Sequence, residues 1–136
     1  MRLEIPLKNP TNGPCEAISQ PVTESVRFVR QSGCPAKFVI FTLEFQPAPQ
    51  ISGVVVENRL SEEQLPQEFV EAIFEGIEEV AIAGTALGYP LTDLRVTITE
   101  AMYHEVDSAA FDFQRMAKQA VETALKKAGT VLIYPG

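Results

Sequence analysis

At 136 residues, with 46% hydrophobic and 21% charged side chains, the sequence has room for one folded domain whose core needs neither disulfide nor metal. Its formal charge of -7 excludes a non-specific nucleic-acid binder, which needs excess lysine and arginine to displace counterions from phosphates. Seven of the eighteen acids fall between Glu62 and Glu79, and the remaining eleven balance the eleven lysines and arginines, so the rest of the surface is suited to local contact with RNA.

Residues 1–21 hold Pro6, Pro10, Pro14 and Pro21 with Asn9, Asn12 and Gly13. That density of breakers excludes a long helix and predicts an extended lead-in or linker, with the folded domain running over 22–136. From Val22 to Gln31, Val26, Phe28 and Val29 mix with Arg27 and Arg30, as in a strand with one wet face. A turn is expected at Ser32-Gly33-Cys34-Pro35. Phe38 to Phe45 is apolar at nearly every position and predicts a central strand covered on much of both faces. Pro47 and Pro49 end it, and Ile51 to Glu57 follows as a third strand, expected to pair antiparallel to the second.

Ser61 and Gln64 have capping-box spacing, but Pro66 would break a helix begun there, so the helix is predicted to open with Pro66 in its first turn. Phe69, Ile73, Ile77 and Val80 form its inward stripe, with the glutamates outward and Gly84 and Gly88 closing the segment. Leu94, Val96 and Ile98 alternate with polar residues, the period of a strand buried on one face. A second helix is expected to be capped by Asp107 or Ser108, to bury Phe113, Ala117, Ala120, Val121 and Ala124, and to stop at Lys126, Lys127 and Gly129. Val131 to Tyr134 adds a short edge strand. The sum is an α+β two-layer sandwich with helices on one face of a sheet.

No GxxxxGK[ST], GxGxxG or GxSxG motif occurs, which removes the usual grounds for a nucleotide enzyme or a serine hydrolase. Two cysteines and one histidine fall short of a zinc site, so Cys15 and Cys34 are expected to be reduced thiols. The first ten residues lack a signal-peptide core and no long uncharged apolar run occurs, so a cytoplasmic chain with no membrane contact is expected.

The dense polar cluster Tyr103-His104-Glu105-Val106-Asp107-Ser108 admits three readings. His104 acts as a general base oriented by Asp107 or Glu105. Asp107 or Ser108 merely caps a helix. Alternatively, the loop contacts RNA, with Tyr103 and His104 on a base or sugar and the N-H groups near Ala109 and Ala110 facing phosphate, opposed by Glu105 and Asp107. If the first two strands are neighbours, the 32–35 turn reaches the same end of the sheet as this cluster.

Pro66-Gln67-Glu68-Phe69, Gly76-Ile77-Glu78-Glu79, Gly88-Tyr89-Pro90-Leu91-Thr92-Asp93, Arg95-Val96-Thr97 and, most specifically, Tyr103 through Ser108 resemble, in order and spacing, the fourth domain of bacterial translation elongation factor G. The resemblance covers about residues 22–135. Tetracycline-resistance ribosomal protection proteins share the plan, and Leu125 to Thr130 is similar to theirs.

The resemblance implies a β3-α-β-α order on a mostly antiparallel four-stranded sheet, with a left-handed β-α-β crossover as in a small-subunit ribosomal protein. It also implies a ribosome-binding domain that mimics the tRNA anticodon arm and contacts tRNA and mRNA in the decoding site during translocation. Carried over by position, Gln31, Ser32 and Gly33 begin one tip loop, and Tyr103, His104, Glu105, Val106, Asp107 and Ser108 form the other. Cys34-Pro35 departs from the glycine-rich family pattern and stiffens the first loop. GTP and magnesium would belong to another domain, leaving this chain a monomer without catalytic, cofactor or metal residues. Family members carry further domains on both sides, which makes the chain either an excised fragment or a free-standing copy. Ribosomal protection and a stand-alone small-molecule enzyme using His104 are the alternatives.

Overall fold

The computed structural model describes residues 1–7, 13–30, 36–84 and 88–134. Its elements are β1 (Arg2–Ile5), β2 (Cys15–Ile18), β3 (Val22–Arg30), β4 (Lys37–Pro47), β5 (Val54–Asn58), α1 (Gln67–Ala83), β6 (Leu94–Met102), α2 (Ala110–Ala128) and β7 (Thr130–Ile133). Five strands form one sheet in the order β1-β5-β6-β4-β3, and β2 pairs with β7 in a separate ribbon. Within the sheet every pair is antiparallel except β5 with β6.

The apolar periods place the core. Phe41, Leu43 and Phe45 of β4 and Val96 and Ile98 of β6 are fully buried, as are Ile73 and Ile77 of α1 and Phe113 and Val121 of α2. Each such side chain contributes about 1.5–3 kcal/mol on leaving water. Phe113 lies at the junction, stacked on Phe69 of α1 at 4.7 Å and on Phe41 of β4 at 6.0 Å. Phe69, Val80, Ala117, Ala120 and Ala124, each placed in a helix stripe by spacing alone, are also buried. Small residues bring the helices close. A Cβ on Gly76 would collide with the Gln114 carbonyl oxygen and lie 3.0 Å from Ala117 Cβ. No helix of the described residues is long and apolar enough to cross a membrane.

The topology corrects several expectations. β5 does not pair with β4, because β6 lies between them, antiparallel to β4 and parallel to β5. The chain leaves β5 through α1 and returns beside it, and a strand that returns through a helical crossover comes back parallel. β4 is internal, but its buried and half-buried residues alternate, so only its helix-facing side is fully covered. The sheet has five strands rather than four, because the first 21 residues contribute β1 to its edge and β2 to the ribbon. β7 joins that ribbon, not the sheet.

Helix boundaries shift for local reasons. Pro66 precedes α1 as its N-cap residue, at φ -55 and ψ 148. Ser61 and Gln64 do make the reciprocal bonds of a capping box, Ser61 N-H to Gln64 Oε1 at 2.9 Å and Gln64 N-H to Ser61 Oγ at 3.3 Å, on a turn before the helix. α2 ends as expected, with Lys126 and Lys127 in its last turn and Gly129 at φ 75. Cys15 is buried, and Cys34 lies outside the described residues.

Candidate functional site

A β-bulge decides which residues of β6 reach the surface. Leu43 pairs with Ile98 but Thr42 pairs with Glu100, so Thr99 is an extra residue in the ladder. Before it, Leu94, Val96 and Ile98 point into the core; beyond it the parity reverses, and Ala101 and Tyr103 pack against the core instead. Tyr103 accordingly rests on Phe69 with ring centroids 5.9 Å apart. Met102, paired with Ile40, and then His104, whose ring lies 6.1 Å from Phe38, are turned to the helix-free face.

Residues 104–108 form a closed turn. Ser108 N-H donates to the His104 carbonyl at 3.0 Å, and Ser108 Oγ accepts from His104 N-H at 2.9 Å while donating to the Phe38 carbonyl at 2.8 Å. His104 Nδ1 accepts from the N-H groups of Val106 and Asp107, both at 3.2 Å. Asp107 Oδ2 lies 3.6 Å from the same nitrogen, too far for a hydrogen bond. Two such bonds contribute about 1–3 kcal/mol, so the neutral ring is held with its proton on Nε2. That is the reverse of a carboxylate-oriented base, in which Nδ1-H donates to the acid and Nε2 is left to take a proton.

The helix cap expected from Asp107 or Ser108 is absent. α2 begins after Ala109, which makes no side-chain capping bond. Ser108 is unavailable because its hydroxyl already joins the loop to β4 across 70 positions of sequence. The first turn of the helix instead carries Asp112, only 2% exposed, which accepts from Lys37 Nζ at 3.0 and 3.3 Å and lies 3.5 Å from Arg115. Arg115 in turn lies over the Phe28 ring of β3, 5.7 Å from its centroid.

These contacts set the histidine turn at the end of the sheet where β3 stops and β4 starts. Arg30 and Lys37, which flank the first loop, are paired across β3 and β4, and Lys37 and Phe38 are the residues that hold α2 and the histidine turn. Gln31, Ser32 and Gly33 themselves lie outside the described residues. Glu105 is exposed, and Val106, at the apex of the second loop, is 83% exposed; Phe111, in the first turn of α2, is 70% exposed. Sequence reasoning missed Lys37, Phe38 and Asp112 as supports, since the partners lie 70 to 75 positions apart. Among the described residues no group of three or more His, Cys, Asp or Glu is placed to hold a metal ion.

Comparison with known proteins gives a consistent result. The family model described as "Elongation factor G, domain IV" matches residues 14–129. Elongation factor G of Gluconobacter oxydans (strain 621H) is 31% identical over 120 residues, which cover 88% of this chain and 17% of that protein. A crystal structure from Thermus thermophilus superposes with a TM-score of 0.73 at 28% identity, covering 88% of this chain and 18% of the other. The chain thus spans about a sixth of the length of the curated relative it matches.

Proposed function

Because the chain belongs to the family of elongation factor G domain IV, we propose that its histidine-loop end enters the decoding region of the small ribosomal subunit and touches tRNA and mRNA there as an anticodon arm does. GTP hydrolysis belongs to a different domain, and this chain supplies shape, with no bond-making step of its own. The observation that carries the reading is the tie from Ser108 Oγ to the Phe38 carbonyl at 2.8 Å. It anchors the second loop to the strand from which the first loop departs, so two loops share one rigid support. The acidic balance fits this role, since five of the seven clustered glutamates lie on α1, while exposed Val106 and His104 share the loop end with Glu105 and Asp107. Affinity for RNA comes from shape and neutral contacts rather than counterion release. The chain acts as a cytoplasmic monomer and binds neither GTP nor magnesium.

In a factor that contains this chain, His104→Ala slows translocation on programmed ribosomes while GTP hydrolysis stays near normal. Translocation at the unaltered rate would contradict the role given to the loop. Saturable, magnesium-dependent GTP binding to the chain in calorimetry would contradict the assignment of hydrolysis elsewhere.

A further inference from the structure

We propose that β1 is a self-complementary edge onto which the β1 strand of a second copy of this chain docks, extending the sheet across a two-fold axis in a weak dimer. β1 ends the sheet, with β5 as its one neighbour among the described residues. Along an antiparallel ladder, facing residues alternate between exchanging main-chain hydrogen bonds and turning those groups away. Asn58 N-H donates to the Met1 carbonyl at 3.0 Å, so by the same alternation Leu3 and Ile5 direct their main-chain groups at β5. The N-H and C=O groups of Arg2 and Glu4 therefore face out from the sheet, where a further strand can pair with them.

The side chains select the occupant. Leu3 packs against the core, while Arg2 and Glu4 are exposed on the helix-free side. With outward bonding at positions 2 and 4, an antiparallel second copy has three registers. Two of them set Arg2 against Arg2 or Glu4 against Glu4, which like charge disfavours. The third sets Arg2 against Glu4 of the second copy and Glu4 against Arg2 of the second copy, with Leu3 facing Leu3 on the axis. Each of the two charged pairs then exchanges both of its main-chain bonds, and one symmetric arrangement satisfies both chains. Arg2 lies 3.3 Å from its own Glu4 and 3.4 Å from Glu57, surface contacts of little strength that the new pairs replace at small cost. Charges that blunt an edge against an unrelated strand thus match their own copy. Pro6, which has no N-H, ends the ladder. A groove of about 520 Å³ beside the edge, lined by Arg2, Glu4, Ile51 and Val55 among others, leaves room for incoming side chains.

The strand has four residues and each chain carries a charge of -7, so the dissociation constant is expected on the order of 0.1–1 mM and the dilute chain is the monomer described above. β4, which anchors the histidine turn, is three strands from β1, so pairing leaves that end open. The inference does not depend on the ribosomal reading.

Sedimentation equilibrium of the intact chain from about 0.02 to 2 mM should show the mean mass rising toward twice that of one chain. Over the same range, amide exchange should slow at Arg2 and Glu4 and stay constant at Leu3 and Ile5. Arg2→Glu and Glu4→Arg, both at exposed positions, should each weaken self-association by at least about tenfold, because like charges then face each other. An equimolar mixture of the two variants should associate again, since every facing pair then joins an acid to a base.

A mass that stays at one chain through about 2 mM overturns the proposal. So does association that survives in both single variants, which would place the contact elsewhere, and so does a mixture that fails to associate while Leu3 keeps its protection in both. If a substitution frays β1, Leu3 loses that protection, and exchange in the unaltered chain decides alone: slowing at Leu3 in place of Arg2 and Glu4 refutes the docking edge.

Discussion

Lys37→Met tests whether the base of the tip is held by a buried charge. Asp112 is 2% exposed and receives both short contacts from Lys37, whose own side chain is 24% exposed; Arg115 adds a contact at 3.5 Å. Removing one partner of a fully buried pair costs about 3–5 kcal/mol, because the other charge stays desolvated. Arg115 retains part of the compensation here, which lowers the expected cost to about 2–3 kcal/mol. A domain of this size has a total stability of about 5–15 kcal/mol, so the variant should still fold.

The double variant Lys37→Met with Asp112→Leu removes both charges and should recover to within about 1–2 kcal/mol of the original. The residual loss includes about 0.3–1 kcal/mol from an acid in the first turn of α2. Urea unfolding at constant m-value measures all of these variants. A cost under about 0.5 kcal/mol for Lys37→Met, or simple additivity in the double variant, would show that the pair is screened by solvent and does not hold the tip.

Two further outcomes follow from packing and charge. Gly76→Ala should destabilise by about 1–2 kcal/mol: alanine gains about 1 kcal/mol in helix propensity, but its Cβ meets the Gln114 carbonyl, and overpacking costs about 1–3 kcal/mol. A net gain in thermal stability would show that the helices can separate freely. Lys118, bonded to Glu79 at 3.0 Å, holds the Glu79 carboxyl below its ordinary value of 4.5, with Gln114 Nε2 donating to it as well. A depressed carboxylate stabilises the fold above its unfolded-state value and loses that contribution as pH falls through the folded-state value. Glu79→Gln should therefore lower stability at neutral pH by under about 0.5 kcal/mol, since the pair is half exposed, with the difference fading as pH falls below 4.5. A difference that persists in acid would assign the effect to packing.

The sequence made some of this structure readable and concealed the rest for physical reasons. The stripe of Phe69, Ile73, Ile77 and Val80 and the alternation of Leu94, Val96 and Ile98 were legible because burial follows the period of each element. That alternation also misleads: continued to position 104 it would place Met102 and His104 in the core, and only the extra Thr99 turns them outward. A bulge leaves no mark in composition. The pairing of β5 with β6 rather than β4 depends on where a crossover lands, which periodicity does not encode. Pro6 and Pro10 suggested a lead-in, yet Arg2–Ile5 precedes both and is long enough to pair with β5 as an edge strand. Ser108 looked like a cap because serine so often is one, but a partner at position 38 takes its hydroxyl. The YHEVDS run identified the family from the residues alone, whereas the tie that fixes it to β4 required coordinates.

The most direct test is probing from the apex. A cleavage reagent tethered through Val106→Cys, with Cys34→Ser leaving buried Cys15 as the one other thiol, would be bound with small subunits carrying mRNA and tRNA. Strand scission confined to the RNA of the decoding region is the predicted result. Scission scattered over the subunit, or focused at a distant site, would contradict the claim that this end of the molecule is the part that meets the ribosome.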